Sequence, residues 1–236
     1  MAPGTWAATA HLPYLLASPK YQVVAVCNST AQSAQASIDH HKLGSSVAAY
    51  GSPEALAADP NVDLIVVTVQ VGKHYALTKP ALLAGKDVYV EWPLGVTTAE
   101  SVELTKLAES KGVKTIVGVQ ARANPLVTKV KELVAGGKLG NVLSSSVVGA
   151  LTGAPIGIWL AGAEYYLDIN SGGNSLMITF GHCASLYFPT TAQPLLIEDL
   201  QFSTVSFTSS AISPSCHRRS RPLTQTPPSS LQKAKS

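Results

Sequence analysis

Short apolar runs alternate with segments of helical periodicity between Tyr21 and Val119. Nearly continuous apolar and β-branched runs are typical of parallel strands that are covered on both faces. The predicted strands are Gln22–Cys27, Val47–Tyr50, Val62–Val69, Asp87–Val90 and Thr115–Val119. The predicted helices are Ala31–Leu43, Pro53–Ala58, His74–Ala84, Thr98–Lys111 and Pro125–Ala135. This alternation predicts right-handed βαβ units in a doubly wound parallel α/β sheet.

Residues with strong positional preferences mark the ends of several predicted helices. Pro53 fits the first turn of the predicted helix Pro53–Ala58. Thr98 is predicted to cap the helix that runs to Lys111. Gly85 and Gly112 follow helices at the position where a left-handed residue is needed. A further helical pattern runs from the start of the chain to about Ser18.

The pattern changes after Gly140, which predicts a second domain. Asn141–Leu151 has the pattern of a long strand that leaves the first domain, and weaker strand-like and helical signals follow. More than half of residues 203–236 are Ser, Thr or Pro, a composition that predicts disorder. We therefore divide the chain into a first domain at 1–122, a partial second domain at 123–202 and a disordered tail at 203–236.

The charge of the chain is concentrated in that tail. The 236 residues carry a net charge of +3, with 13% charged and 46% hydrophobic residues, a balance that argues against disorder of the whole chain. Residues 203–236 contain five basic residues and no acidic one, so the rest carries 12 basic against 14 acidic residues. A body of near-neutral charge predicts no direct contact with nucleic acid.

Cysteine usage and hydropathy predict a soluble protein in a reduced intracellular compartment. Cys27, Cys183 and Cys216 form no CxxC pair, so neither a metal site nor a disulfide framework is predicted. No apolar stretch approaches the ~20 residues of a membrane span. The first residues lack the basic segment of a secretory signal.

The most specific motifs lie between Thr68 and Thr98, and supporting motifs lie further along the chain. Thr68-Val-Gln-Val-Gly-Lys-His74 is followed by Glu91-Trp92-Pro93-Leu94, then by Val117-Gly-Val-Gln-Ala-Arg122 and by Gly172-Gly173 through His182. Over roughly residues 5–200 this order resembles the Gfo/Idh/MocA (glucose–fructose oxidoreductase/inositol dehydrogenase) family. The combination Glu-Trp-Pro with Val-Gln-x-Arg is most similar to a fungal branch of that family that includes the galactose-regulon repressor.

The resemblance implies a Rossmann-type domain that binds NADP or NAD, followed by an α+β open-sheet domain with substrate and oligomer contacts. It implies an oxidoreductase that acts on the hydroxyl or carbonyl carbon of a sugar, polyol or related small molecule. The location implied is cytoplasmic, and a homo-oligomer is compatible with it. No membrane partner is expected.

The front of the chain departs from a dinucleotide-binding sheet. Such a sheet begins with a strand, a Gly-rich turn and a helix whose N-terminus holds the pyrophosphate. Here the first residues enter a helical pattern directly, and Gly4 is the one glycine of a possible fingerprint. We expect a sequence truncated at both ends and without the central first strand. The alternative is a natural variant that has given up tight cofactor binding.

Two of the proton-transfer groups that the resemblance implies are replaced. The family usually has lysine at Trp92 and aspartate at Ile178, whereas His182 is retained. Indole nitrogen only donates and cannot act as an acid or base, so His182 is the candidate catalytic residue. The replacements motivate a second hypothesis, a non-catalytic NAD(P)-binding regulator that contacts another protein, with the nucleus as a possible location. A truncated remnant without activity is the third.

Apart from Trp6, which lies in the first helical pattern, the candidate cofactor-binding residues lie at or just after the ends of predicted strands, at the carboxyl edge of the sheet, where ligands bind in open α/β sheets. They are Trp6, Asn28, Ser29, Thr68, Gln70, His74, Glu91, Trp92, Gln120 and Arg122.

Several of these residues have alternative interpretations. Neutral Asn28 would tolerate the 2′-phosphate of NADP, but Asn-Ser-Thr is also ordinary helix-capping chemistry. His74 is predicted in a cofactor-site or helix-start role, against a surface histidine. Glu91 is predicted either to accept hydrogen bonds from the nicotinamide ribose or substrate, or to be a buried structural carboxylate. Trp92 is expected to pack against the nicotinamide, and Arg122 to clamp a polar substrate or pair with Glu91.

Overall fold

A computed structural model describes residues 5–141 and 164–190, and side chains of the last helix as far as Ala184. Contacts divide the chain into a unit Met1–Pro194 and a unit Leu195–Ser236, the second of which lies outside the described residues. The predicted strand Asn141–Leu151, apart from its first residue, and the predicted disordered tail also lie outside them.

Parallel strands in two ladders confirm the predicted Rossmann-like α/β fold. The strands are β1 Ala25–Cys27, β2 Ala48–Tyr50, β3 Leu64–Val67, β4 Asp87–Glu91 and β5 Thr115–Gly118. Strands β1 and β2 form one ladder, and β3, β4 and β5 form the other with β4 in the centre. Most predicted strands extend past these bounds because residues such as Val47 and Val62 are buried without joining a ladder.

Seven α-helices lie within the described residues. A short π-helical turn, Ala7–His11, leads into the first of them. The helices are α1 Leu12–Ala17, α2 Ala31–His40, α3 Pro53–Ala57, α4 His74–Leu83, α5 Thr98–Lys111, α6 Pro125–Ala135 and α7 Ser175–Thr190. Among the helices within residues 5–141 and 164–190, none combines the length and apolarity that crossing a bilayer requires.

Side-chain caps fix where the helices begin. Thr30 and Ser33 cap α2 reciprocally, and Ser52 caps α3 ahead of Pro53. The predicted cap at Thr98 is wrong by one residue, because the hydroxyl of Thr97 accepts the bond from Glu100 N at 3.2 Å. At the other helix ends, the left-handed glycines are confirmed, with φ of +73° at Gly85 and +65° at Gly112.

Two separate apolar clusters form the core. The larger packs α3, α4 and α5 on the second ladder, with residues such as Val67, Leu82 and Leu104 almost inaccessible to solvent. The smaller packs α2 on the first ladder and contains Val26, Ala34, Ile38 and Val47. Because the described strands are parallel, their carboxyl ends lie at one edge of each ladder. Most candidate residues lie at or after these ends, whereas Trp6 precedes β1 and His182 lies on α7.

Candidate functional site

The carboxylate of Glu91, at the end of β4, is the centre of a partly buried polar cluster. Its Oε1 accepts a hydrogen bond from Trp6 Nε1 at 3.2 Å and from the Tyr89 hydroxyl at 3.3 Å, and it pairs with His11 Nε2. The side chains of Glu91 and His11 are 12% and 19% exposed. The His11 ring meets Tyr89 edge-on, with centroids 5.2 Å apart. The first helical segment is thereby tied to the carboxyl end of β4.

The cluster holds Glu91 as an anion. Burial raises the pKa of Glu91, but the bond and charge of His11 and the bonds from Trp6 and Tyr89 outweigh it, so the pKa lies below its usual range. Burial, followed by the charge of Glu91, raises the pKa of Tyr89 to about 12. A fixed carboxylate therefore lies beside a protonated phenol.

Glycine at position 118 leaves room for this cluster. Gly118 pairs with Glu91 across β4 and β5. A Cβ on Gly118 would lie 2.6 Å from the Tyr89 hydroxyl and 2.9 Å from Glu91 Oε2. Any side chain here would displace Glu91 or Tyr89, so this glycine of the Val-Gly-Val-Gln motif is required by close approach.

We expect Glu91→Gln to lower the free energy of unfolding by about 1–3 kcal/mol at pH 7, because it removes charge-assisted hydrogen bonds. A carboxylate with a lowered pKa contributes stability that is fully present above its unfolded-state pKa near 4.5 and is lost as pH falls through the lower folded-state pKa. The variant should therefore lose less stability than the parent on acidification below that range. Urea unfolding at several pH values measures this.

Glu109→Gln is the matched control, since Glu109 is an exposed carboxylate on α5. Identical pH profiles for Glu91→Gln and the parent protein would contradict the assignment of Glu91 as a bound anion.

His74 joins the end of β3 to the segment after β4. It begins α4 and is 1% exposed, so the helix-start prediction is confirmed and the surface alternative is wrong. Its Nδ1 lies 2.7 Å from Pro93 O and its Nε2 2.9 Å from Val69 O. Both oxygens can only accept, and a neutral imidazole carries a single N–H. The ring donates to both carbonyls only as an imidazolium. A ligand-binding role for His74 stays a prediction.

The turn after β1 is used for helix capping. Asn28 Nδ2 donates to Ser33 O at 2.8 Å and to Ser37 Oγ at 3.0 Å, which fastens the end of β1 to α2. Together with the Thr30 cap, this confirms the capping interpretation of Asn-Ser-Thr. Ser29 is exposed beside it. Contact of Asn28 or Ser29 with a nucleotide stays a prediction.

After β3, Thr68 is half-buried and Gln70 is exposed at the start of the 3-10 turn Val71–Lys73. This turn places both residues at the same sheet edge as Glu91. Their contact with a cofactor stays a prediction.

Trp92 packs on α7 at a glycine. Its Nε1 donates to Met177 O at 3.2 Å, and a Cβ on Gly181 would lie 2.1 Å from Trp92 Cε2. The indole therefore rests on the helix backbone. Trp92, Gln120 and Arg122 line one cavity of about 1180 Å³ together with residues of α7.

The Gly172-Gly173 pair is also explained by close approach. Gly172 has a φ of +69°, and a Cβ there would lie 2.5 Å from Val96 Cα. A Cβ on Gly173 would lie 2.6 Å from Val71 Cγ1. These glycines let the segment before α7 pack directly on Val96 and Val71, and this contact positions α7 beside Trp92.

His182 lies on a different face of α7 from the cavity. Met177, Phe180, Gly181 and Ala184 line the cavity, and His182 is not among the described residues that do so. Ile178 is one helical turn before His182 and, like it, half-buried. The catalytic role of His182 therefore stays a prediction.

Sequence reasoning missed His11 and Tyr89 as partners of Glu91. His11 is separated from Glu91 by 80 positions, and no motif relates them. Only the topology could have indicated this contact. In a sheet of this kind, the helix that leads into a parallel strand begins at the carboxyl edge, so the helical segment before β1 is expected to begin near the end of β4. Tyr89 points to the same side of β4 as Glu91 because side chains alternate along a strand.

Comparisons with known proteins match both halves of the chain. Residues 4–119 match the model of the oxidoreductase family with an NAD-binding Rossmann fold. Residues 125–200 match the Gal80p C-terminal domain.

Two curated relatives differ in what their names describe. A dehydrogenase, aclE, from Aspergillus oryzae is 37% identical over 163 residues, which are 69% of this chain and 44% of that protein. The galactose/lactose metabolism regulatory protein GAL80 from Saccharomyces cerevisiae is 29% identical over 190 residues, which are 75% of this chain and 42% of that protein.

A solved structure is similar over the same region. The crystal structure of a super-repressor mutant of Gal80p from Saccharomyces cerevisiae matches with a TM-score of 0.71 and 28% identity, over 78% of this chain and 49% of that one. The chain spans less than half of the length of the curated relatives it matches.

Proposed function

Because the chain belongs to the Gfo/Idh/MocA family of NAD-binding oxidoreductases, we propose that it binds NADP or NAD at the carboxyl edge of β3, β4 and β5. There it supports hydride transfer to or from a hydroxyl or carbonyl carbon of a sugar, polyol or related small molecule. The observation that carries the proposal is the fixed carboxylate of Glu91 at this edge, which binds Trp6 and directly precedes Trp92 in the chain.

The residues at this edge suit a dinucleotide. Among the residues that the structure describes, Trp6, Tyr89 and His11 all bind Oε1 of Glu91, and we propose that Oε2 accepts hydrogen bonds from ribose hydroxyls. Hydroxyls of Ser29 and Thr68 and the amides of Gln70 and Gln120 complete the proposed set of polar groups. The nicotinamide supplies the hydride chemistry when bound, and the protein supplies orientation and a proton path. We propose His182 as the proton partner, since Trp92 offers only an N–H donor.

The preference between the two cofactors depends on the β1 turn. An acid at this position selects NAD by accepting both ribose hydroxyls. Neutral Asn28 removes that selection, and its amide donors already bind α2. We propose that NADP is tolerated as well as NAD.

Calorimetric titration of the purified chain with NADP and with NAD tests the proposal. Saturable binding of either below millimolar concentration is expected, and Glu91→Gln should weaken it while Glu109→Gln leaves it unchanged. No binding of either at millimolar concentration would refute the dinucleotide proposal.

A second candidate is a dinucleotide-binding regulator that contacts another protein without turnover. Trp92 favours it, because an indole packed on Gly181 and bonded to Met177 O occupies the position where the resemblance implies lysine. The similarity to a galactose/lactose regulatory protein agrees with this candidate. We propose a cytoplasmic location for the enzyme and a nuclear one for the regulator, with the domain division 1–122 and 123–202 in both cases.

Trp92→Lys separates the two candidates. Positioned acid–base groups contribute typically 10²–10⁴-fold to rate, so in the regulator the variant should raise NADP reduction with a panel of sugars and polyols by about tenfold or more from near zero. In the enzyme the parent protein already turns over. Tyr14→Lys is the control, since it also replaces an aromatic side chain by lysine, at a position of α1 that is 74% exposed. Equal inactivity of both variants alongside an inactive parent would argue against loss of the lysine as the cause.

A further inference from the structure

His11 binds the carboxylate of Glu91 from the first helical segment. It ends the turn Ala7–His11, which Trp6 precedes, and both rings bind the same oxygen, Oε1. Oε2 is directed towards β5, because a Cβ added to Gly118 would lie 2.9 Å from it. The last torsion of a free glutamate side chain is only broadly restricted. Donors that hold Oε1 therefore also fix the direction of Oε2.

The surroundings of His11 suit a residue that supports another side chain. The His11 side chain is 19% exposed, and its ring lies edge-on to Tyr89 with the centroids 5.2 Å apart. Trp6, which binds the same oxygen of Glu91, is 55% exposed. The indole of Trp6 is thus accessible to a ligand, whereas the imidazole of His11 is largely covered by protein.

His11 also has a larger influence on the charge of Glu91 than the other two donors. Burial raises the pKa of Glu91, and the hydrogen bond and charge of His11 lower it more than the bonds from Trp6 and Tyr89 do. An ionised carboxylate only accepts hydrogen bonds, whereas a protonated one also donates. His11 therefore maintains both the direction and the acceptor character of this carboxylate.

The topology indicates which half of a dinucleotide Glu91 would meet. In a doubly wound sheet, the residue that contacts the adenosine ribose lies about 20 residues after the Gly-rich turn, at the end of the next strand. In this chain the corresponding residue is Asn28, which directly follows β1. Glu91 ends β4, in the other ladder. Since a dinucleotide lies across the crevice at this edge of the sheet, we expect the nicotinamide ribose to lie nearer Glu91.

We propose that His11 is a positioning residue for the nicotinamide ribose, and that it holds Oε1 of Glu91 so that Oε2 is directed to the ribose hydroxyls. This role rests on the dinucleotide binding proposed above, and it makes the first helical segment a part of the cofactor site. His11 acts through Glu91 and needs no contact with the cofactor.

A double-mutant cycle on dinucleotide affinity tests the role, with calorimetric titration of the full chain by NADP, or by NAD if NAD binds more tightly. His11→Phe keeps a ring against Tyr89 but lacks both nitrogens. It should weaken binding about tenfold or more, because Glu91 loses a charge-assisted hydrogen bond. In the Glu91→Gln background, the same change should alter the affinity by less than about twofold. Effects that multiply in the double variant, or an unchanged affinity in His11→Phe, would overturn the role.

Two further measurements separate positioning from a loss of structure. The adenosine fragment of the dinucleotide, adenosine 2′,5′-bisphosphate for NADP or AMP for NAD, lacks the nicotinamide ribose. Its affinity should be the same in His11→Phe as in the parent protein. His11→Gln restores an N–H donor and should bind the whole dinucleotide more tightly than His11→Phe does. Equal losses for fragment and dinucleotide, or no recovery in His11→Gln, would overturn the role.

Two other variants complete the experiment. His40→Phe is the matched control, because His40 is an exposed histidine on α2, and it should change neither affinity. His11→Leu also lacks both nitrogens, and it replaces His11→Phe in the cycle if circular dichroism shows that His11→Phe does not fold.

The outcomes distinguish this role from the proposed function. If the parent protein binds neither NADP nor NAD, the dinucleotide proposal fails and the role of His11 fails with it. If the parent protein binds one of them and the variants without the His11 nitrogens bind it equally well, the dinucleotide proposal stands and the positioning role is refuted.

Discussion

Replacing His74 with leucine is expected to lower the free energy of unfolding by about 1–3 kcal/mol. The substitution keeps an apolar body of similar size but removes both ring nitrogens, which lie within hydrogen-bond distance of the carbonyl oxygens of Val69 and Pro93. At least one of these acceptors then loses its donor, beside a side chain that is 1% exposed, and a buried acceptor deprived of its partner costs about 1–3 kcal/mol. Urea unfolding followed by circular dichroism measures the loss.

His40→Leu is the matched control for this substitution. His40 is an exposed histidine in the last turn of α2, and exposed substitutions usually stay within about ±0.5 kcal/mol. His74 also fixes Pro93, the neighbour of Trp92, so dinucleotide affinity should fall in His74→Leu and stay constant in His40→Leu. Equal stabilities of the two variants would contradict the assignment of His74 as the bridge between β3 and β4.

Gly181→Ala is expected to destabilise the protein by about 1–3 kcal/mol, the typical cost of overpacking. Helix propensity alone predicts the opposite sign, since alanine inside a helix is favoured over glycine by roughly 0.5–1 kcal/mol. The structure reverses the sign because the added Cβ would lie 2.1 Å from Trp92 Cε2 and 2.2 Å from its Nε1. A rigid indole can relieve this contact only by moving as a whole. Chemical denaturation again gives the measurement.

A double-mutant cycle with Trp92→Ala isolates the contact. With the indole removed, Gly181→Ala should become neutral or stabilising, which gives an interaction energy of about 1–3 kcal/mol. Gly72→Ala serves as control, because a Cβ on Gly72 meets nothing within 4 Å. A stabilising effect of Gly181→Ala in the parent protein would show that Trp92 does not lie on α7.

The parts of the fold that follow from local chemistry were predictable from sequence. The bounds of α5 and α6 agree with prediction, because each segment has a polar residue before it and a glycine after it. The capping error at Thr98 arose because Thr97 and Thr98 are equivalent in sequence, and only backbone geometry selects Thr97. Strand positions were predictable from apolar runs, but strand ends were not. An apolar run indicates which residues are buried, whereas a strand ends where its backbone stops pairing with a neighbouring strand.

The candidate site was predictable only in part. Glu91, Gln120 and Arg122 were expected at a sheet edge, because the carboxyl ends of parallel strands share it. The pairing of Glu91 with His11 depends on how the turn Ala7–His11 packs against β4. The position of the Trp92 indole depends on its close approach to Gly181, 89 positions later. Burial of His74 likewise follows from the two carbonyls around it. Such contacts depend on tertiary structure, which a local sequence pattern does not predict.

The strands form two ladders with apolar clusters of unequal size, and from this we expect two blocks that open at different free energies. Blocks with fewer buried contacts open at lower free energy than the rest of a protein. Asn28 and Ser29 belong to the smaller block, whereas Thr68 and Glu91 belong to the larger. A dinucleotide that bound both sets of residues would bridge the two blocks. It would then raise the free energy at which the smaller block opens, and so stabilise the fold as well as supply a cofactor.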